Sequence, residues 1–255
     1  MTITTGEVTR GLIAIVILMA LTYAVLRVAS VEVGWAPLTA VVRGGLQLAL
    51  VGLALRGVLS EPPTVALALI VMLSIASWTA AGRLKALGRV WRSVTIAMIA
   101  GVAASLVVVF AVDALPFNAR YVVALSGIVI GNSMTGATLA GRHLLAGLRS
   151  RRHEIEGWLA LGATPRQAVR DVARGAAGEA LVPVMDQTRT TGVVTLPGAF
   201  IGALLGGADP TQAARFQLIV LVSLLATEAI VATLVVHMLG APTTLPTDPS
   251  SSRVV

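Results

Sequence analysis

The chain contains no cysteine, only two tyrosines and four phenylalanines, and little charge. Each shortage removes a class of function. Without cysteine there is no disulfide framework, no thiolate metal site and no thiol nucleophile. Charged residues make up 12% of the 255 residues, with 12 acids against 19 lysines and arginines. No carboxylate pair, His-Glu-x-x-His run or nucleophile elbow occurs, and no G-x-x-x-x-G-K-[ST] loop is present to cradle nucleotide phosphates. The sequence therefore offers no enzymatic site and no cofactor site of its own. What it has in abundance is apolar: 56% hydrophobic residues and a mean hydropathy of +0.88. Those values belong to polytopic helical membrane proteins. The formal charge of +7 sits between apolar runs, so orientation in lipid explains it better than nucleic acid does.

A crossing needs about 20 mostly apolar residues for about 30 Å of hydrocarbon. The runs predict seven crossings: Thr9–Val28, Pro37–Leu55, Thr64–Ala81, Ser93–Val112, Tyr121–Ala140, Pro183–Leu205 and Ala214–Leu239. Ala29–Ala36, with Glu32 and Trp35, reads as an interfacial elbow, and Leu59–Pro63 as a tight turn before the third span. The first apolar run is too long, and lacks the basic lead-in, for a cleavable signal peptide. The fold class expected is an all-α integral membrane protein with a helix hairpin between the fifth and sixth spans. The transmembrane body runs over 1–240, with the polar segment over 142–182, and 241–255 reads as a disordered tail. Twelve of the 19 basic residues lie in Gly82–Arg92 and Gly141–Arg189. The positive-inside tendency places those segments in the cytoplasm, with the N-terminus outside and the C-terminus inside the plasma (inner) membrane. No internal repeat is convincing, which weakens an inverted-repeat carrier.

The polar segment has helical punctuation. Ile155, Trp158, Leu159 and Gly162 fall on one helical face. Gly162 suits a helix end, Thr164 an N-cap, Pro165 a first helical position and Gln167 the third residue of a capping box. A second helix then runs towards Leu181, with Arg166, Arg170 and Arg174 outside and Val169, Val172, Ala173 and Ala176 inside. Such a hairpin either rests its arginines on lipid phosphates or docks a cytosolic subunit.

Leu159–Ala168 (LALGATPRQA) resembles the cytoplasmic loop of ABC-transporter permeases. Glu156 and Gly162 keep the glutamate-to-glycine spacing of the importer loop, although Pro183 falls later than that loop's proline. Arg43–Gly52 (RGGLQLALVG), Gly127–Met134 (GIVIGNSM), Leu161–Ala168, Val182–Gly207 and Asp209–Gln217 (DPTQAARFQ) resemble the iron-export ABC permease family of the Fet B type. That family includes the plant aluminium-sensitivity permeases. The resemblance covers about 40 to 255. It implies a permease subunit that pairs with a second copy and couples to two cytosolic ABC ATPases, where ATP and Mg are bound. It also implies metal export, with iron the first cargo. On this reading Glu156, Trp158, Leu159, Leu161, Gly162, Ala163, Thr164, Pro165 and Gln167 contact the ATPase. The lipid bilayer is the other partner, and nucleic acid is not expected. A stand-alone proton- or ion-coupled carrier or channel is the alternative.

Polar groups inside lipid are costly and need a partner or a task. Asn132 and Met134 are candidate pathway groups beside Ser133 and Thr135, since amide and thioether atoms can meet cations; Asn132 equally suits an interhelical hydrogen bond. Asp186 and Arg189 suit a local i, i+3 ion pair or, at Asp186, a cation-binding position. Glu228 reads as a proton or metal site or as a structural carboxyl. No metal-ligand set can be named. Arg43 suits snorkelling, and His237 suits an interface residue. Gly127 with Gly131, and Gly198 with Gly202 and Gly206, recur every four residues and permit close helix contact, within the chain or at a subunit seam. Pro197 is a flex point.

Overall fold

Helix boundaries follow the apolar runs and their capping residues. The computed structural model describes residues 5–58, 61–88 and 90–241; Arg89, the residues 59–60 of the expected turn and nearly all of the expected tail lie outside them. The contacts divide the chain into two compact units, Met1–Ser60 and Glu61–Val255. In the first, α1 (Thr5–Val28) and α2 (Ala36–Val58) are joined by the expected elbow. Ser30 and Gly34 take positive φ there, and the Tyr23 hydroxyl donates to the Gly34 carbonyl at 3.2 Å.

The second unit comprises α3 (Pro62–Arg83), α4 (Trp91–Ala111), α5 (Ala119–Ser150), α6 (Arg152–Ala160), α7 (Pro165–Thr190), α8 (Gly198–Leu205) and α9 (Pro210–Leu239). Pro62 and Pro63 occupy the first turn of α3, where a missing N–H has no helical partner to lose. Asn118 caps α5 by accepting from the Tyr121 amide at 3.1 Å. Asp209 caps α9 by accepting from the Thr211 amide at 2.9 Å. Among the described residues six helices are long and apolar enough to cross a membrane: α1, α2, α3, α4, α5 and α9. The chain is an all-α, multi-span integral membrane protein.

Two boundaries differ from expectation. α5 does not stop near Ala140 but continues to Ser150, because Leu144 and Leu148 keep one face of the extension fully buried. The sixth span, expected over Pro183–Leu205, is not one helix. Pro183 lies inside α7 rather than at a helix start. It cannot donate to the Glu179 carbonyl, yet its fixed φ is helical, and the burial of Val184 beside it holds the helix together. The break comes instead at 191–197, where Gly192 takes φ 89° and Pro197 becomes the N-cap of α8. Threonine hydroxyls close the end of α7. Thr188 donates to Val184 O at 2.7 Å, Thr190 to Asp186 O at 2.8 Å and Thr191 to Gln187 O at 2.7 Å. Those bonds are second contacts to carbonyls that already accept backbone amides, the Gln187 carbonyl from the Thr191 amide at 3.1 Å.

The helices of this unit approach through small residues. A Cβ on Gly101 of α4 would stand 2.7 Å from Val231 Cγ2 and 2.9 Å from the Thr227 carbonyl oxygen. One turn on, Ser105 and Thr227 share a hydroxyl–hydroxyl hydrogen bond of 2.6 Å. α5 serves three neighbours in the same way. Gly136 receives Glu228 of α9, Gly141 receives Leu84 after α3, and Gly147 receives Val172 of α7. Lipid supplies no hydrophobic drive between helices, so backbone approach and interhelical hydrogen bonds hold them.

Gly101→Leu is expected to destabilise the protein by about 1–3 kcal/mol or more, the usual cost of overpacking. Val107→Leu, on the outward side of the same helix, is expected to leave the thermal unfolding midpoint in detergent unchanged. Equal midpoints for the two variants would refute the α4–α9 contact.

Candidate functional site

The hairpin between α5 and α8 is built as its punctuation implies. α6 ends at Ala160, and Gly162 takes φ 89°, a left-handed conformation that disfavours side chains. Thr164 then caps α7 by a full capping box. Its hydroxyl accepts from the Gln167 amide at 3.4 Å, while the Gln167 side-chain oxygen accepts from the Thr164 amide at 2.9 Å. α7 lays Val169, Val172 and Ala176 into the core and turns Arg166, Arg170 and Arg174 outward. Ile155 anchors α6 and is buried.

The rest of the hairpin tip is uncovered. Glu156, Trp158, Leu159, Leu161, Gly162, Thr164, Pro165 and Gln167 are all exposed, and Ala163 is half-buried. Leu161 is 82% exposed. Trp158, Leu161, Gly162, Ala163 and Gln167 line one groove of about 480 Å³, with Arg151, Glu154, Arg170 and Asp171 among its polar walls. The expected stripe is thus split: Ile155 holds the helix down, whereas Trp158 and Leu159 point to a surface. Two ion pairs brace α6. Arg151 bonds Glu154 at 2.6 Å, and Arg152 bonds Glu156 at 2.8 Å. Those hydrogen bonds hold both carboxyls below the usual carboxylate range, against the small opposing effect of desolvation. A lowered carboxyl stabilises the fold above its unfolded pKa and loses that contribution as pH falls through the folded value. Both pairs are solvent-exposed, so the contribution is small.

The candidate pathway groups do not form one cluster. Asn132 donates its side-chain amide to Ile128 O at 2.9 Å within its own helix. Met134 is half-buried against the core. Glu228 is 4% exposed, and its Cγ lies 3.1 Å from where a Cβ on Gly136 would stand. Asn132 is one turn from Gly136 on the same side of α5. Asp186 is elsewhere, on the outward face of α7, paired with Arg189 at 3.7 Å. Among the described residues no three His, Cys, Asp or Glu side chains gather to hold a metal. His237 is exposed, and so are Arg43 and Gln47 of the first unit.

The glycine expectations need correction in part. Gly127 has only an ordinary contact with Met72 at 3.5 Å, and Gly131, Gly198 and Gly202 have open space where a Cβ would stand. Gly206 caps α8 and meets only the carbonyls of its own last turn. Packing inside the chain therefore falls on Gly101, Gly136, Gly141 and Gly147. Those glycines lack the strict four-residue spacing that drew attention to the others. Glu179 is a further exposed acid of α7, seven residues, two turns, before Asp186 on one helix.

Thr164→Ala removes the cap and is expected to destabilise the hairpin by about 1 kcal/mol. Hydrogen exchange at the first turn of α7 should accelerate while α9 stays protected. Unchanged exchange would show that the capping box contributes nothing.

Comparison with known proteins gives the chain its relatives. A family model described as "Uncharacterised protein family (UPF0014)" matches residues 9–243. The chain is 33% identical over 186 residues to UPF0014 membrane protein STAR2 of Oryza sativa subsp. japonica, covering 72% of this chain and 65% of that protein. Protein ALUMINUM SENSITIVE 3 of Arabidopsis thaliana is 32% identical over 181 residues, covering 70% of this chain and 66% of its own length. The match thus spans just under two thirds of these plant relatives. Probable iron export permease protein FetB of Escherichia coli (strain K12) is 32% identical over 191 residues, covering 74% and 73%. No solved structure matches the chain. The model match over nearly the whole sequence makes the chain a member of the UPF0014 family of membrane proteins.

Proposed function

We propose that the chain is the membrane subunit of an ATP-driven transporter, paired with a second copy and coupled to two cytosolic ABC ATPases. The carrying observation is the uncovered hairpin tip, where Trp158 and Leu161 stand exposed at a bundle end rich in arginine. Apolar side chains outside lipid, beside a polar-walled groove, suit a protein partner better than water. The chain has no phosphate-binding loop, so hydrolysis must occur in that partner. The basic character of the hairpin supports a cytoplasmic position for it. It also supports an external N-terminus and a cytoplasmic C-terminus in the plasma (inner) membrane.

Coupling is mechanical on this reading. Closure of the ATPases pushes α6, the capping box carries the push into α7, and α7 passes it to the helices packed against it. The cargo proposed is a metal cation, with iron first. The E. coli relative is named a probable iron export permease, and Asn132, Met134, Asp186 and Glu228 offer the polar atoms.

Leu161→Glu is expected to abolish co-purification with the ATPase and to change the unfolding free energy by no more than about 0.5 kcal/mol, as for other surface changes. ATPase-free proteoliposomes that move metal at full rate would overturn the proposal in favour of a stand-alone carrier. Glu228→Gln is expected to lower metal flux while ATPase association survives. Unaltered flux would remove Glu228 from the pathway.

A further inference from the structure

The segment that joins α3 to α4 is basic without compensation. Gly82–Arg92 holds Arg83, Lys85, Arg89 and Arg92 and no acid. The ion pairs among the described residues lie at α6 and on α7 and involve none of Arg83, Lys85 and Arg92. Residues 1–60 carry four arginines and only two glutamates, so wherever α1 and α2 rest, they leave the segment positive. A second copy repeats the same excess, +7 over the whole chain. The missing negative charge has to come from another molecule.

Local structure gathers the cations into a cradle. α3 ends at Arg83, and a 3-10 turn over Lys85–Leu87 follows. Gly88 then takes φ 89° and turns the chain back into α4. Leu84 and Val90 are buried and tie the connection to the core. Trp78, Gly82, Lys85, Gly88, Trp91 and Arg92 line the resulting concavity of about 680 Å³. Gly82 has open space where a Cβ would stand, so no side chain fills the cradle from that position.

Depth follows from helix length. α3 has 22 residues and α4 has 21, about 33 and 32 Å of rise, close to the roughly 30 Å of hydrocarbon. Both helices spend their length on the crossing, and the joint between them sits at the headgroup level. Trp78 lies about 8 Å before Arg83 along α3, and Trp91 opens α4. Indoles collect at that depth because one end of the ring is apolar and the other wet. The hairpin tip stands further out. Leu84 meets α5 at Gly141, and α5 continues to Ser150, about 14 Å beyond. The cradle is therefore at lipid level and separate from the surface proposed for the ATPase.

We infer that the cradle binds the headgroup of an anionic glycerophospholipid, its phosphodiester between Lys85 and Arg92 and its glycerol against Trp78 and Trp91. Charge selects the class. Basic pockets between membrane helices at the headgroup level hold acidic lipids, whereas a zwitterionic headgroup brings no net charge to a site that has only cations. The two cations also divide the recognition: the planar fork of Arg92 fixes orientation on a phosphate, and Lys85 adds a point charge. The inference needs only the membrane depth of α3 and α4 and stands apart from the permease reading.

The four tryptophans of the chain make the test direct. Trp35→Phe with Trp158→Phe leaves Trp78 and Trp91 as the indole reporters. This full-length chain is reconstituted into phosphatidylcholine vesicles, and dibrominated phosphatidylglycerol or dibrominated phosphatidylcholine is titrated in as a fluorescence quencher. The anionic lipid is expected to quench at a roughly tenfold lower mole fraction, an attraction within reach of two cations at a membrane surface. Lys85→Gln with Arg92→Gln is expected to erase that preference. Arg166→Gln with Arg174→Gln, the same loss of charge on the hairpin, is expected to keep it. Equal quenching by the two lipids in the unsubstituted cradle overturns the inference. An equal loss of preference in both double variants also overturns it, because attraction then belongs to the whole basic face. Quenching by neither lipid shows protein over the indoles, from α1 and α2 or a second copy, and overturns it as well. Relief of quenching by inorganic phosphate at fixed ionic strength overturns the lipid as occupant and assigns the cradle to a soluble phosphate compound.

Discussion

Close backbone contact at α9 is the constraint on which the second unit depends. Lipid tails are as apolar as leucine, so burying a leucine between helices contributes little by itself. What distinguishes this packing is approach distance. Gly101 admits Val231 and the Thr227 carbonyl, and Gly136 admits the Glu228 side chain. The Ser105–Thr227 hydroxyl pair adds direction to a contact that dispersion alone would leave free to slide. With α9 seated between α4 and α5, the far end of α5 is fixed, and Gly147 can take Val172. The position of α7, and so of its hairpin, is set by these few small residues.

That dependence explains why α7 remains one helix through Pro183. The proline breaks a backbone bond, but Ala180 and Val184 on either side of it are buried. A continuous helix lets both pack on the same neighbours. The helix fails only where packing stops supporting it, at Gly192, and its last carbonyls are met by backbone amides, Thr191 to Gln187 O and Val194 to Thr190 O. A continuous helix thus runs from the exposed hairpin tip to a non-helical stretch, which is the shape a lever requires. On the proposed reading the capping box is the joint that keeps the tip and the lever moving together.

Much of this was legible in residue order. Apolar run lengths located α1 to α4 and α9 within a few residues, and Gly162-Ala163-Thr164-Pro165 marked the hairpin because each residue has a local conformational reason to be there. Two things were not legible. The sixth span was read from hydropathy over Pro183–Leu205, and hydropathy cannot see that Gly192 and Pro197 together interrupt a helix that tertiary packing has already carried past Pro183. The glycine ridges were read from regular spacing, whereas helices crossing at an angle touch at irregular intervals. Gly101, Gly136, Gly141 and Gly147 serve four different contacts and so share no single period.

The two acids of greatest interest stand on opposite sides of α7's packing surface. Glu228 is buried against Gly136. Asp186 is open but already paired with Arg189. A cation meeting Asp186 must compete with a guanidinium, and a cation meeting Glu228 must first part α5 from α9. On the proposed reading, movement of α7 bears on both barriers, because α7 packs on α5 and α9 with one face and carries Asp186 away from it. On that reading, a push that shifts α7 along its neighbours would disturb the α5–α9 contact that holds Glu228 and re-aim the Asp186–Arg189 pair in the same stroke. Coupling between the hairpin and the acids is then a property of one helix with two faces, and no chain of relays is needed to connect them.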